Sequence, residues 1–274
     1  MKPKVARAVW PNAGTRMRYQ KRMIALISEM ANSVEYWLEA QRKATPPILA
    51  TDALPSAEMQ EEVRRLFEQW RKRFDTEAPK MAGAFVKGQF SATNSAMRQA
   101  LRDAGWSIQF TLTPAMRDAF EASLAENVGL IKSIPARYLQ EVEGIVMRNY
   151  AAGRDLKSMA AEIRARYKVA ADRAVLIARD QSNKCSAVVQ RARQIEIGIK
   201  QSIWMHSHAG KEPRRSHMAM NGKIYEVDKG MYDPDVKDFI FPGQLINCRC
   251  VGRSVLPWTP AEKPATSAST RSGK

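Results

Sequence analysis

The 274-residue sequence predicts an α+β protein that is mainly α-helical, a helical N-terminal portion followed by a small C-terminal module with a short β-sheet. Three observations carry this. Apolar residues recur at three- and four-residue steps through most of the first 196 positions, the spacing of one buried helix face. The densest turn chemistry, Asn221-Gly222 and Pro242-Gly243, is confined to the stretch from Trp204 to Arg253. That same stretch holds all three histidines (His206, His208, His217) and two of the three cysteines (Cys248, Cys250).

In chain order, residues 1 to 22 carry seven basic side chains (Lys2, Lys4, Arg7, Arg16, Arg18, Lys21, Arg22) and no acid, which predicts a solvated basic arm able to neutralise phosphates. Met23, Ile27, Met30, Val34, Trp37 and Leu38 predict a helix from about Thr15 to Lys43, stopped by Thr45-Pro46-Pro47 because proline donates no backbone hydrogen bond. Ser56 is placed to cap a second helix, with Glu58 and Glu61 in its first turn and Val63, Leu66, Phe67, Trp70 and Phe74 on one side. Pro79 should kink or interrupt it, with helical pattern resuming through Leu101 and ending at Gly105. Trp106 to Thr111 alternates apolar and polar, as a short strand or an extended link would.

Thr113-Pro114 is a helix start, a capping hydroxyl followed by proline at the first helical position. That helix is expected to reach about Lys132, with Pro135 opening another to near Gly153 and Asp155 capping a short one through Tyr167. The next, from about Ala171 to Glu196, carries the stripe Ala174, Ala178, Gln181, Cys185, Val188, Ala192, Ile195 and Ile199, with Cys185 a buried inert thiol and Gly198 the terminator. Lys200 to His206 reads as a strand. Asn221-Gly222 suits a type I′ hairpin turn with a strand after it, and Pro242-Gly243 supplies a further turn. Thr259 to Lys274 lacks the apolar residues to join a core and reads as disordered.

Composition narrows the function classes. The 44 Lys+Arg against 28 Asp+Glu give a formal charge of +16 and call for an acidic partner, nucleic acid or an anionic protein surface, unless they serve solubility alone. Three cysteines in a chain this long fit a reducing cytoplasm better than an oxidising compartment. Met1-Lys2-Pro3-Lys4 does not open a signal peptide, and no stretch approaches the roughly 18 apolar residues of a membrane span.

Pro213-Arg214-Arg215-Ser216-His217, then Met220-Asn221-Gly222-Lys223, Pro242-Gly243 and Asn247-Cys248-Arg249-Cys250 together resemble the signature of the Mu F-like phage head morphogenesis family. Arg173 to Arg179 resembles the helix that leads into that domain. The resemblance covers roughly residues 140 to 255. It implies a non-enzymatic minor head protein of a tailed bacteriophage, resident in the virion head and acting in capsid assembly. The implied partners are the portal protein and the major capsid or scaffold protein, possible contact with double-stranded DNA in packaging or ejection being included, and no membrane is expected. The chain then divides into a basic arm at 1–22, a helical region at 23–135, the family's domain at 136–255 and the tail at 256–274.

Two chemistries compete for the His/Cys residues. His208 (or His206) with His217, Cys248 and Cys250 would supply four preferred zinc ligands, and alternate residues on a strand point to one face. Against zinc, structural sites usually space cysteines by two to four residues, so the spacing favours a hydrogen-bonded core histidine and two small buried thiols, with no cofactor. A Cys248–Cys250 disulfide would be strained. A metal nuclease built on the histidines with Asn221 and Asp228 lacks a complete constellation. Arg214, Arg215, Arg249 and Arg253 suit phosphate or carboxylate, while Tyr225, Phe239 and Phe241 are expected to fill the small core.

Overall fold

The structure, a computed structural model, describes residues 4–44, 56–151, 156–210 and 212–257. The stop at Thr45-Pro46-Pro47, the Asp155 cap, Lys2 and the C-terminal tail lie outside these residues. The described elements are β1 (Lys4–Val5), α1 (Ala13–Ala44), α2 (Ser56–Asp103), α3 (Pro114–Ala151), α4 (Leu156–Glu196), β2 (Gln201–Met205), α5 (Arg215–Met220), β3 (Ile224–Glu226), β4 (Met231–Asp233), β5 (Asp238–Ile240) and β6 (Val251–Leu256). The mainly helical α+β class is as expected.

These elements fall into two compact units, each assembled from separate stretches of chain: Ala13–Lys87 with Ala122–Arg179, and Met1–Asn12 with Gly88–Glu121 and Asp180–Lys274. The units cut across the linear division at 22/23 and 135/136.

The first unit is helical. Met23, Ile27, Met30, Val34 and Leu38 are buried along α1, as their spacing requires, and Val63, Phe67, Trp70 and Phe74 along α2. Tyr19 stacks on Phe85 with centroids 4.2 Å apart and donates its hydroxyl to Asn127 Oδ1 at 3.0 Å. Lys132–Asp75, Arg164–Glu35 and Arg166–Glu141 pairs link the helices at their exposed edges. Pro79 and Pro135 lie inside continuous helices, contrary to the expected interruption at the first and new start at the second. A proline removes one i to i−4 bond, a loss that packing on both flanking turns outweighs here. Tyr167 and Ala171 belong to one unbroken α4, because Lys168-Val169-Ala170 contains neither glycine nor proline to end it.

The second unit holds the sheet. Its order is β1-β6-β2-β3, antiparallel throughout, with Gln201 to Met205 running against Val255 to Val251 and Ser202 opposite Tyr225. A separate ladder pairs β4 with β5. The basic N-terminal stretch is therefore no free arm: Lys4 and Val5 pair with Leu256 and Val255, Ala6 and Val9 are buried, and Arg16 to Arg22 lie on α1. Ala6 and Val9 fall between basic residues and enter the core with Met97, Leu101, Trp106, Ile199 and Leu256. Trp106 to Thr111 is an extended link and not a strand.

Local signals that depend on few residues hold. Gly105 (φ +88°) and Gly198 (φ +73°) each end a helix with the paired Schellman bonds, Trp106 N to Leu101 O and Ile199 N to Gln194 O, both 2.8 Å. Thr113 Oγ1 accepts from Met116 N at 3.2 Å, capping α3. Within the helix the α4 stripe holds as far as Cys185, and Ile199, past the helix end, is buried again. Val188 and Ile195 are exposed, and the face that turns inward carries Ser186, Gln190, Arg193 and Gln194. Their partners explain the inversion: Gln190 Nε2 donates to Val9 O at 3.0 Å, Gln194 Nε2 to Ser254 Oγ at 2.8 Å, and Arg193 Nε to Asn94 Oδ1 at 2.9 Å.

Candidate metal centre

The C-terminal module brings its polar residues together through three turns. Asn221 (φ −55°, ψ 129°) and Gly222 (φ +80°) form a type II turn closed by Lys223 N to Met220 O at 2.9 Å, in place of the expected type I′. Asn221 is held at negative φ with its Oδ1 accepting from His206 N at 2.9 Å, and the expected strand, β3, follows. Pro242-Gly243 is likewise type II in pattern, with Gly243 at φ +82° and Gln244 N bonded to Phe241 O. A side chain at 243 would meet Ala187 Cβ at 3.0 Å, so the glycine lets this loop lie against α4. Asn247 adopts φ +61° and donates its N–H to Asp180 Oδ1 at 2.7 Å, Asp180 being paired with Lys184 one turn along α4.

The anchoring of Asn247 sets the two cysteines just ahead of β6, in irregular chain and not on a strand as supposed. Cys248 Sγ lies 3.4 Å and Cys250 Sγ 3.7 Å from His217 Nδ1, and the three donor atoms all lie within 4.8 Å of one another. All three residues are buried. Trp204, fully buried on β2, meets the His217 ring edge-on at 5.3 Å and Tyr225 at 6.0 Å. Met220 and Ile240 complete this small core.

His217 faces a carboxylate on its other side. Its Nε2 is 3.3 Å from Asp233 Oδ2, a contact short of a well-formed hydrogen bond, and Asp233 is completely buried. Ser216 Oγ donates to the same oxygen at 3.3 Å and Asp235 N to Oδ1 at 2.9 Å, holding the carboxylate in place. A proton on Nε2 leaves the Nδ1 lone pair facing the sulfurs. The thiols are unequal: hydrogen bonds from Cys250, then His217 and the Cys250 and Gly243 backbone, depress the Cys248 thiol, whereas its bond to Cys248 and burial raise the Cys250 thiol. Gly243 N reaches Cys248 Sγ at 3.3 Å.

His208 does not join this cluster. It is exposed at φ +50°, and its N–H donates to His206 Nδ1 at 3.1 Å, which turns its ring against His206. Asp233, Asp180 and Trp204 escaped the sequence reading, although an acid ahead of Pro234 and an acid closing the Arg173–Arg179 run were visible. Of the nuclease set, Asn221 serves a turn and Asp228 is exposed. Among the described residues the His217-Cys248-Cys250 group is the one cluster of three or more metal-capable side chains whose donor atoms converge.

The basic residues read as contacts do not form one surface feature. Lys4 and Arg7 belong to the sheet-bearing unit, Arg7 paired with Asp103 at 2.9 Å, whereas Arg16, Arg18, Lys21 and Arg22 belong to the helical unit. Arg214 and Arg215 are exposed, with Arg214 Nη2 bonded to Ile246 O at 3.0 Å. Tyr225 enters the core as expected. Phe239 remains exposed, and Phe241 is covered by the Arg191 guanidinium at 3.6 Å.

Residues 140–253 match the family of Phage Mu protein F like proteins, so the family resemblance holds over the part of the chain that contains this centre. An uncharacterised protein of Haemophilus influenzae is 38% identical over 144 residues, 53% of this chain and 31% of that protein. The chain thus spans about a third of the length of this curated relative. No solved structure matches.

Proposed function

We propose that the chain is a non-enzymatic minor head protein of a tailed bacteriophage, acting in head assembly at the portal or inner capsid. The observation that carries this is the match of residues 140–253 to the Phage Mu protein F like family, which takes in α5, the sheet strands β2 to β5 and the His/Cys cluster. The proposed partners are the portal protein and the major capsid or scaffold protein, with residence in the virion. None of the described helices is long and apolar enough to cross a membrane.

Deleting the gene from the phage tests this. Particles defective in assembly or infectivity, with DNA hydrolysis in extracts unchanged, are expected. Normal infectious particles lacking the protein would overturn it. The charge of +16, with Arg18, Lys21 and Arg22 exposed, favours a second reading in which the protein binds duplex DNA without sequence preference during packaging or ejection.

A further inference from the structure

We infer that His217 Nδ1, Cys248 Sγ and Cys250 Sγ are three ligands of a tetrahedral zinc ion that ties α5 to the segment entering β6. The inference is independent of the head-protein reading, because it rests on donor chemistry and distances alone. Two thiolates and an imidazole are a preferred zinc donor set. Bond lengths of about 2.3 Å to sulfur and 2.0–2.1 Å to nitrogen make the nitrogen–sulfur edge of a tetrahedron about 3.6 Å long and the sulfur–sulfur edge about 3.8 Å. The observed nitrogen–sulfur separations, 3.4 and 3.7 Å, bracket that edge.

Hydrogen bonding, with Cys250 donating to Cys248 and Cys248 to the imidazole, leaves the close approach of Cys250 to the same nitrogen unused. The Nδ1 lone pair can accept one thiol proton, yet both sulfurs sit on this nitrogen, in a pocket closed by Trp204 and with no oxygen partner for the indole Nε1. A cation at the centre satisfies all three donors at once. It also removes the cost of holding two facing thiols in an apolar core, since a coordinated thiol is deprotonated outright.

The outer contacts match those of a metal centre. Asp233, buried against His217 Nε2, is the carboxylate that orients a ligating imidazole and raises its basicity. The Gly243 N–H at 3.3 Å from Cys248 Sγ is the kind of backbone donor that steadies a bound thiolate. The three donors leave the fourth corner of the tetrahedron to a ligand from outside the cluster. The single residue between the cysteines, unusual for zinc, does not keep their sulfurs apart, since both lie within 3.7 Å of His217 Nδ1.

The experiment uses the full-length protein, purified under reductant without chelator, dialysed, and analysed for zinc per chain. One zinc per chain is expected. Replacement by Co(II) should give thiolate-to-cobalt charge-transfer bands together with the strong d–d bands of a tetrahedral ion. Cys248→Ser, Cys250→Ser and His217→Ala should each lose the metal and His208→Ala should keep it, while Asp233→Asn should weaken zinc affinity about 10–100-fold with the cobalt spectrum retained. Because the ligand variants could fail to fold, the wild-type measurements decide. Wild-type protein that takes up no zinc from a stoichiometric supply, a cobalt spectrum without sulfur charge transfer, or a mass two hydrogens low from a Cys248–Cys250 disulfide would each overturn the site. Loss of zinc in His208→Ala would overturn the ligand set.

Discussion

A methyl group placed on residue 230 would lie 2.6 Å from the Ile240 carbonyl oxygen, and the backbone there has φ +87°, a region that side chains rarely occupy. Gly230→Ala therefore combines backbone strain with a clash against main chain that cannot swing away. We expect a loss of at least about 2 kcal/mol, read as a lower urea midpoint with an unchanged slope. An unaltered midpoint would show that the β4–β5 ladder yields freely. His206 makes a prediction about pH. Burial first, then the like charges of His208 and His217, hold its pKa below the ordinary value, with Cys248 opposing. The unfolded chain therefore binds the proton first as pH falls, so this contribution is complete above about pH 6.5 and is lost downward through the folded value. Melting temperature should fall as the pH drops from about 7 towards 5, and His206→Gln should flatten that fall. An identical slope in the variant would assign the acid sensitivity to other groups.

Along the helices the deciding question is which face turns inward and what satisfies it. On α4 the inward face beyond Cys185 sets Val189 among polar residues, and Gln190 carries two buried bonds, to Val9 O and to Ser186 Oγ, both 3.0 Å. Gln190→Ala leaves the Val9 carbonyl buried without this donor and should cost about 1–3 kcal/mol in chemical denaturation. Val188→Ala, on the exposed face two residues away, should change stability by less than about 0.5 kcal/mol. Equal costs at the two positions would mean the apolar stripe continues after all. Pro79 gives the opposite sign. It is exposed inside the continuous α2, so Pro79→Ala restores a helical hydrogen bond without disturbing the core and should raise stability by up to about 3 kcal/mol. A lower melting temperature would indicate that the helix depends on the proline's bend.

For the whole molecule, the charge of +16 is the property that single residues do not explain. If duplex DNA is a partner, affinity should fall with a log–log salt slope of about −0.9 per phosphate neutralised. Removing residues 1 to 22 is the wrong test, because β1 and the buried Tyr19 would be lost with the charge. Lys21→Gln with Arg22→Gln, both exposed on α1, should instead shallow the slope by up to about 1.8 while the melting temperature holds. Binding indifferent to salt would direct the charge towards a protein partner.

Residue order by itself determined what depends on neighbours along the chain. The helix ends at Gly105 and Gly198, the Thr113-Pro114 start, the Pro242-Gly243 turn and the buried faces of α1 and α2 all follow from φ preferences and 3.6-residue periodicity. The convergence of His217 with Cys248 and Cys250 was also foreshadowed, since few other residues in the module combine those donors. Tertiary structure alone decided the rest. His208 is excluded because a left-handed backbone at that one residue aims its ring at His206. Asp233 and Asp180 are recruited across 16 and 67 positions of sequence, distances over which no local rule acts. Pro79 and Pro135 stay within helices, and the polar face of α4 turns inward, because the partners that compensate the lost bonds or accept the buried amides arrive from elsewhere in the chain. Side-chain direction and polar satisfaction are properties of the assembled core, and only the folded protein brings those partners within reach.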